Sequence, residues 1–162
     1  MENLKAYSAL ALFFGMMMAV ESCRSETVDL EQNIILYSMS RHIKDSADNT
    51  KYNERNPAVG LEVIAGSHGL TIGKYEDSYS TTARYIAGLY LPYRSSHTKL
   101  GLMYGAVRSP SYSEKAGRKY IPMVLPYLSV NTDIGLGVNV LYLPKFTSNG
   151  AHVFGLQFKI LL

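Results

Sequence analysis

From residue 33 onward the chain divides into segments of about ten residues in which apolar side chains recur at every second position, the spacing of a β-strand with two unlike faces. Seven of these cover residues 33–42, 58–65, 69–76, 82–92, 98–107, 120–130 and 134–142, and an eighth ends at Leu162. In 134–142, Ile134, Leu136, Val138, Val140 and Tyr142 share one face, and Gly135, Gly137, Asn139 and Leu141 share the other. The last segment repeats the division, with Phe154, Leu156, Phe158, Ile160 and Leu162 opposed to Val153, Gly155, Gln157, Lys159 and Leu161. The segment at 120–130, which carries Pro122 and Pro126, alternates least cleanly.

The connections alternate in length: residues 43–57, 108–119 and 144–151 are long, 77–81 is intermediate, and 66–68, 93–97 and 131–133 are short. Short turns at one end and longer loops at the other predict an all-β fold, an eight-stranded antiparallel up-and-down outer-membrane β-barrel with its long loops facing outward. Closure is a physical requirement there, because a sheet in hydrocarbon tolerates no unpaired edge. The opposite assignment, a soluble lipocalin-like barrel, turns the greasy face inward and needs a charged outer face. The other face instead carries Gly60, Glu62, Gly73, Gly88, Gly101, Gly105, Gly137, Asn139, Gln157 and Lys159, which suits a narrow polar lumen. Tyr37, Tyr85, Tyr104, Tyr120 and Tyr142 are candidates for an interfacial aromatic girdle.

The N-terminus reads as an export signal. Lys5 precedes a largely apolar run at 6–20, and Val20-Glu21-Ser22 places small residues three and one before a cut at Cys23. The expected organisation is a signal peptide at 1–22 and one barrel domain at 23–162, monomeric and integral to the outer membrane. Cys23 also admits a lipid anchor, although Glu21 fits a lipobox poorly.

Composition narrows the functional classes. Charged residues make up only 18%, Tyr and Gly number 13 each, and the formal net charge of +3 comes without a basic run, so nucleic-acid binding is not expected. A single cysteine forms no internal disulfide, and dispersed His68, His97 and His152 give no metal-ligand spacing, so neither a metal nor a cofactor is expected.

In an up-and-down barrel His42 falls at the outer end of strand one, and Asp77 and Ser78 fall at the outer end of strand three. Ser, His and an acid on one rim suit acyl transfer: imidazole takes the hydroxyl proton, the acid fixes its tautomer, and the hydroxyl attacks an ester carbonyl. The plainer alternative is Asp and Ser in a turn beside a surface histidine. Tyr52-Asn53-Glu54-Arg55 with Gly60, then Tyr75-Glu76-Asp77-Ser78-Tyr79, then residues 121–126 (IPMVLP) with Ser129-Val130, and finally Leu143-Pro144 with Asn149-Gly150, occur in an order that resembles the outer-membrane lipid A palmitoyltransferase family. The resemblance covers roughly residues 33–162.

That family is an eight-stranded barrel that moves a palmitoyl chain from a phospholipid to lipid A, so the resemblance implies membrane phospholipid and lipid A as partners. It assigns the catalytic roles to His42, Asp77 and Ser78. Arg41 stands before His42 where the family has Trp, and the stretch to Tyr52 is shorter, so aligning His42 requires a gap. Prolines 122, 126 and 144 mark either lateral lipid gates, as in the resembled family, or a bulged stretch near the rim. Ile86, Tyr90, Met103 and Val107, with Gly88 among them, are expected to line an interior acyl pocket or simply to pack. Tyr52 and Arg55 belong to a charged cluster that either touches lipid A phosphates or, through Glu54 and Arg55, pairs with neighbouring loops. The rival functional class is a non-catalytic barrel whose outer loops bind a partner or shield the surface.

Overall fold

A computed structural model describes residues 29–43, 51–144 and 151–162; the stretch 1–22 expected to be a signal peptide and Cys23 lie outside them. The elements are β1 (Leu30–Ile43), β2 (Arg55–Asn56), β3 (Ala58–Ala65), β4 (His68–Glu76), β5 (Thr82–Arg94), β6 (Thr98–Arg108), α1 (Pro110–Ala116), β7 (Ile121–Asn131), β8 (Leu136–Leu143) and β9 (His152–Leu161). From β3 to β9 each strand pairs antiparallel with the next, β3 pairs with β1, and β9 returns to β1 from Asn33↔Leu161 to Ile43↔His152. Eight strands therefore close a barrel, and β2 is the outer continuation of β3, interrupted at Pro57, which has no N–H to donate to a ladder.

The alternation read from the sequence sorts inside from outside as expected in β8 and β9. Leu136, Phe154, Phe158 and Ile160 stand on the exposed outer face, while Asn139, Gln157 and Lys159 are buried within. Leu61, Ile72, Leu100, Leu102 and Val124 are also exposed and continue an apolar belt around the outside. A polar interior wrapped in an apolar exterior is the arrangement of a membrane barrel, the inverse of a soluble one. Among the described residues no helix is long and apolar enough to cross a membrane.

The lumen has two halves. Toward the short-turn end, Glu62 accepts from Lys159 at 2.7 Å, from the Tyr127 hydroxyl at 2.8 Å, and from the amides of Asn139 at 3.0 Å and Asn33 at 3.1 Å. Lys99 pairs with Glu31 at 2.5 Å in the same cluster. Compensated charges and hydrogen bonds, with Ile64, Leu89 and Leu91 buried beside them, fill this half, so it is a plug rather than a channel. Toward the long-loop end the interior turns apolar, with Met103, Leu125 and Val107 buried.

Three details depart from expectation. β1 begins at Leu30, three residues before the first segment read from the sequence. On β5 the inward row is Ala83, Tyr85, Ala87, Leu89 and Leu91, which puts Ile86, Gly88 and Tyr90 on the outer face and takes Tyr85 out of the expected girdle. The connection at 108–119 holds helix α1, with Ser109 as N-cap, Pro110 in its first turn and Gly117 at φ 62° as the left-handed C-cap.

Candidate functional site

The site lies where three connections meet at the long-loop end. β1 has a register shift between Ile35 and Tyr37 against β9, so its inward positions change from Glu31, Asn33 and Ile35 to Ser38, Ser40 and His42. One extra residue re-aims the strand, as β-bulges do, and turns His42 inward at the rim. His42 is 8% exposed.

Ser78 sits in the turn after β4, and its Oγ lies 2.9 Å from His42 Nε2. The two residues brought together by sequence reasoning are therefore in hydrogen-bond contact. The backbone N–H of His42 donates to Glu54 Oε1 at 3.0 Å, and the same carboxylate oxygen stands 3.8 Å from Nδ1. That separation is too long for a hydrogen bond, yet a carboxylate on this side favours the tautomer with its proton on Nδ1, leaving Nε2 to accept from the Ser78 hydroxyl. Glu54 is held below the usual carboxylate range first by the His42 N–H; burial works against this, and Arg41 at 2.9 Å adds to it. Tyr52 stacks on the His42 ring at 4.2 Å between centroids and 8° between planes, and meets Tyr79 edge-on at 5.7 Å.

Asp77 does not face His42. Its Oδ1 accepts from the N–H groups of Tyr79 and Thr81, both at 2.9 Å, and its Oδ2 accepts from the hydroxyls of Thr81 at 2.6 Å and Ser109. Asp77 is fully buried. Burial pushes its carboxyl upward, but the hydroxyls and backbone N–H groups outweigh this and hold it below the ordinary value. Its geometry ties the β4–β5 turn to the N-cap of α1. Among the described residues the acid beside the histidine is Glu54, which the sequence places in a loop cluster; its chain neighbour Arg55 pairs with Met39 on β1, which is what carries Glu54 to His42.

Beneath the rim is a cavity of about 150 Å³ with Ser78 and Tyr112 at its mouth and Met103, Met123, Leu125 and Leu141 among its apolar walls. Met103 lies in this interior as expected. Ile86 and Tyr90 face outward, 40% and 46% exposed, and a Cβ on Gly88 would strike the Tyr104 ring at 2.7 Å. These three positions shape the outer surface because β5 presents them on its outward row. Arg55 is exposed at the rim, and its N–H donates to Asn53 Oδ1 at 3.1 Å. β7 pairs with β8 only between Tyr127↔Leu141 and Asn131↔Gly137, so among the described residues the stretch from Ile121 to Pro126 has no ladder on that side. Among the described residues no group of His, Cys, Asp and Glu is arranged to hold a metal.

No family model and no curated protein matches the chain, the lipid A palmitoyltransferases included. Among solved structures the outer membrane protein Ail of Yersinia pestis, in a phospholipid bilayer nanodisc, is similar at 11% identity with a TM-score of 0.49, over 84% of this chain and 100% of that one.

Proposed function

We propose that this chain is an outer-membrane acyl-ester enzyme that moves a fatty acyl chain from a phospholipid to lipid A or a related lipid, with His42 as base and Ser78 as the activated hydroxyl. The contact between His42 Nε2 and Ser78 Oγ at the mouth of an apolar cavity carries the reading. His42 takes the hydroxyl proton as Oγ bonds to the ester carbonyl carbon of the donor. The departing lysophospholipid alkoxide then takes that proton from the imidazolium, and an acceptor hydroxyl releases the acyl group by the reverse sequence. The apolar belt supports membrane placement, the gap beside β7 offers a path for a lipid tail, and Glu54 replaces Asp77 as the carboxylate beside the histidine.

Mass spectrometry of lipid A from outer-membrane-bearing cells expressing the wild type, His42→Ala and Ser78→Ala tests this. An added acyl chain with the wild type and its loss in both variants is expected; lipid A unchanged in all three overturns the catalytic reading.

A second reading, a non-catalytic barrel whose rim binds a partner or shields the surface, is favoured by Asp77. That acid is wholly committed to fixing loops, and Glu54 stands beyond hydrogen-bond reach of Nδ1, which describes a rigid rim platform.

A further inference from the structure

Lys74, Arg84 and Arg108 lie side by side on the outer surface of three adjacent strands. The register pairs Lys74 with Arg84 and Arg84 with Arg108, and all three are exposed. Like charges set directly opposite each other destabilise a ladder. Among the described residues no salt bridge engages any of the three. Glu76, two residues beyond Lys74, accepts from the Asn53 amide at 2.8 Å.

The height of this row gives its meaning. One outward step toward the middle of the barrel, Ile72 pairs with Ile86 and Ile86 with Ala106, and the two isoleucines are 50% and 40% exposed. The row therefore sits at the upper edge of the apolar belt, on the long-loop side, with Arg118 and Lys119 exposed just beyond it. In a bilayer that is the level of the outer-leaflet headgroups, where cations on long stems reach from the hydrocarbon boundary toward phosphate.

We propose that Lys74, Arg84 and Arg108 form a binding site for the phosphate groups of a phosphorylated glycolipid of the outer leaflet, of the lipid A type. A phosphate monoester carries up to about two negative charges and three acceptor oxygens, which matches adjacent cations better than the single charge of a phosphodiester. The site is on the lipid-facing surface, separate from the His42–Ser78 rim. It rests on the membrane placement proposed above and not on the catalytic reading.

The test is native mass spectrometry of the full chain refolded in detergent and offered equal amounts of bisphosphorylated lipid A, dephosphorylated lipid A and phosphatidylglycerol. The wild type is compared with the variant Lys74→Gln/Arg84→Gln/Arg108→Gln. At about fivefold per cation near an anionic surface, the triple variant is expected to bind bisphosphorylated lipid A about 100-fold more weakly, while its binding of the dephosphorylated form equals that of the wild type. Arg84→Gln is expected to lose about fivefold and Arg84→Lys to keep most of the affinity, which supplies the answer should the triple variant fail to fold. Equal retention of bisphosphorylated lipid A by wild type and variants, equal binding of the dephosphorylated form by the wild type, or equally tight phosphatidylglycerol each overturns the proposal. Heat-modifiable migration of the wild type after insertion into vesicles reads the membrane placement separately.

Discussion

Truncating Glu62 to alanine would probe the ion cluster that closes the lower lumen. Glu62 is 1% exposed, and its carboxylate receives Lys159, Tyr127, Asn139 and Asn33. Without it, Lys159 keeps Glu31 as a carboxylate neighbour at 3.7 Å, and the Tyr127 hydroxyl loses its acceptor. Removing one partner of a buried pair costs about 3–5 kcal/mol, and each orphaned donor about 1–3 kcal/mol. Because one carboxylate serves all four donors these penalties overlap, and the expected loss is about 4 kcal/mol. Lys159→Ala leaves Glu62 with three neutral donors and should cost about 3 kcal/mol. The double variant removes both charges together, so its loss should fall about 2 kcal/mol short of the sum of the singles.

Equilibrium urea unfolding in phosphatidylcholine vesicles supplies the measurement. With no tryptophan and 13 tyrosines, the signal is tyrosine emission, cross-checked by heat-modifiable gel migration. A loss below about 1 kcal/mol for Glu62→Ala, or singles that add to the double within about 0.5 kcal/mol, would refute the claim that this pair holds the lumen shut.

Two further outcomes concern the rim. The folded Asp77 carboxyl titrates below its unfolded value, so its stabilisation is complete above about pH 4 and is lost as pH falls through the lower folded value. Amide exchange protection at Tyr79 and Thr81 should therefore collapse on acidification in the wild type and be low and insensitive to pH in Asp77→Asn; equal profiles would sink the loop-fixing role. Glu54 stands 3.8 Å from Nδ1 and is about one third exposed, so its charge interacts through a water-like dielectric worth about 1 kcal/mol. Glu54→Gln should slow turnover about fivefold, and Glu54→Ala, which also loses the acceptor for the His42 N–H, should slow it more; wild-type kcat in both would remove Glu54 from the site.

The barrel was legible because bilayer and plug impose opposite chemistry on alternate residues, as Ile160 and Lys159 show. The same logic failed on β5. There the inward row is itself apolar, so Leu89 inside and Ile86 outside look alike in sequence, and Gly88 on the outer face makes room for Tyr104 rather than lining the lumen. His42 and Ser78 were placed on one rim by counting strands, but their contact needs the β1 register shift, which no residue type announces. Glu54 was missed as the carboxylate beside His42 because its position follows from the pairing of Met39 with Arg55, a long-range register. Helix α1 had a readable signal in Ser109-Pro110 and Gly117 that the loop reading passed over.

The glycines of the barrel separate two purposes, and this bears on whether the upper cavity is a site or merely loose packing. A Cβ on Gly60 or Gly73 would lie 2.9 Å from the Tyr85 side chain, so those glycines exist to seat a buried ring. Gly155 is different: a Cβ there would meet only Leu141, at 3.6 Å, an ordinary contact. Its neighbour across the ladder is Ser40, and with Ser38 these small residues border the cavity under His42 and Ser78. Larger apolar side chains at these positions would bury more surface and fill the space at a gain of roughly 1 kcal/mol per added methylene. A lower lumen filled by a compensated ion cluster supplies rigidity without them. The upper half is thus free to stay open, and its small residues lie below the His42–Ser78 contact on the rim, where an acyl chain would have to sit for its ester to reach Ser78.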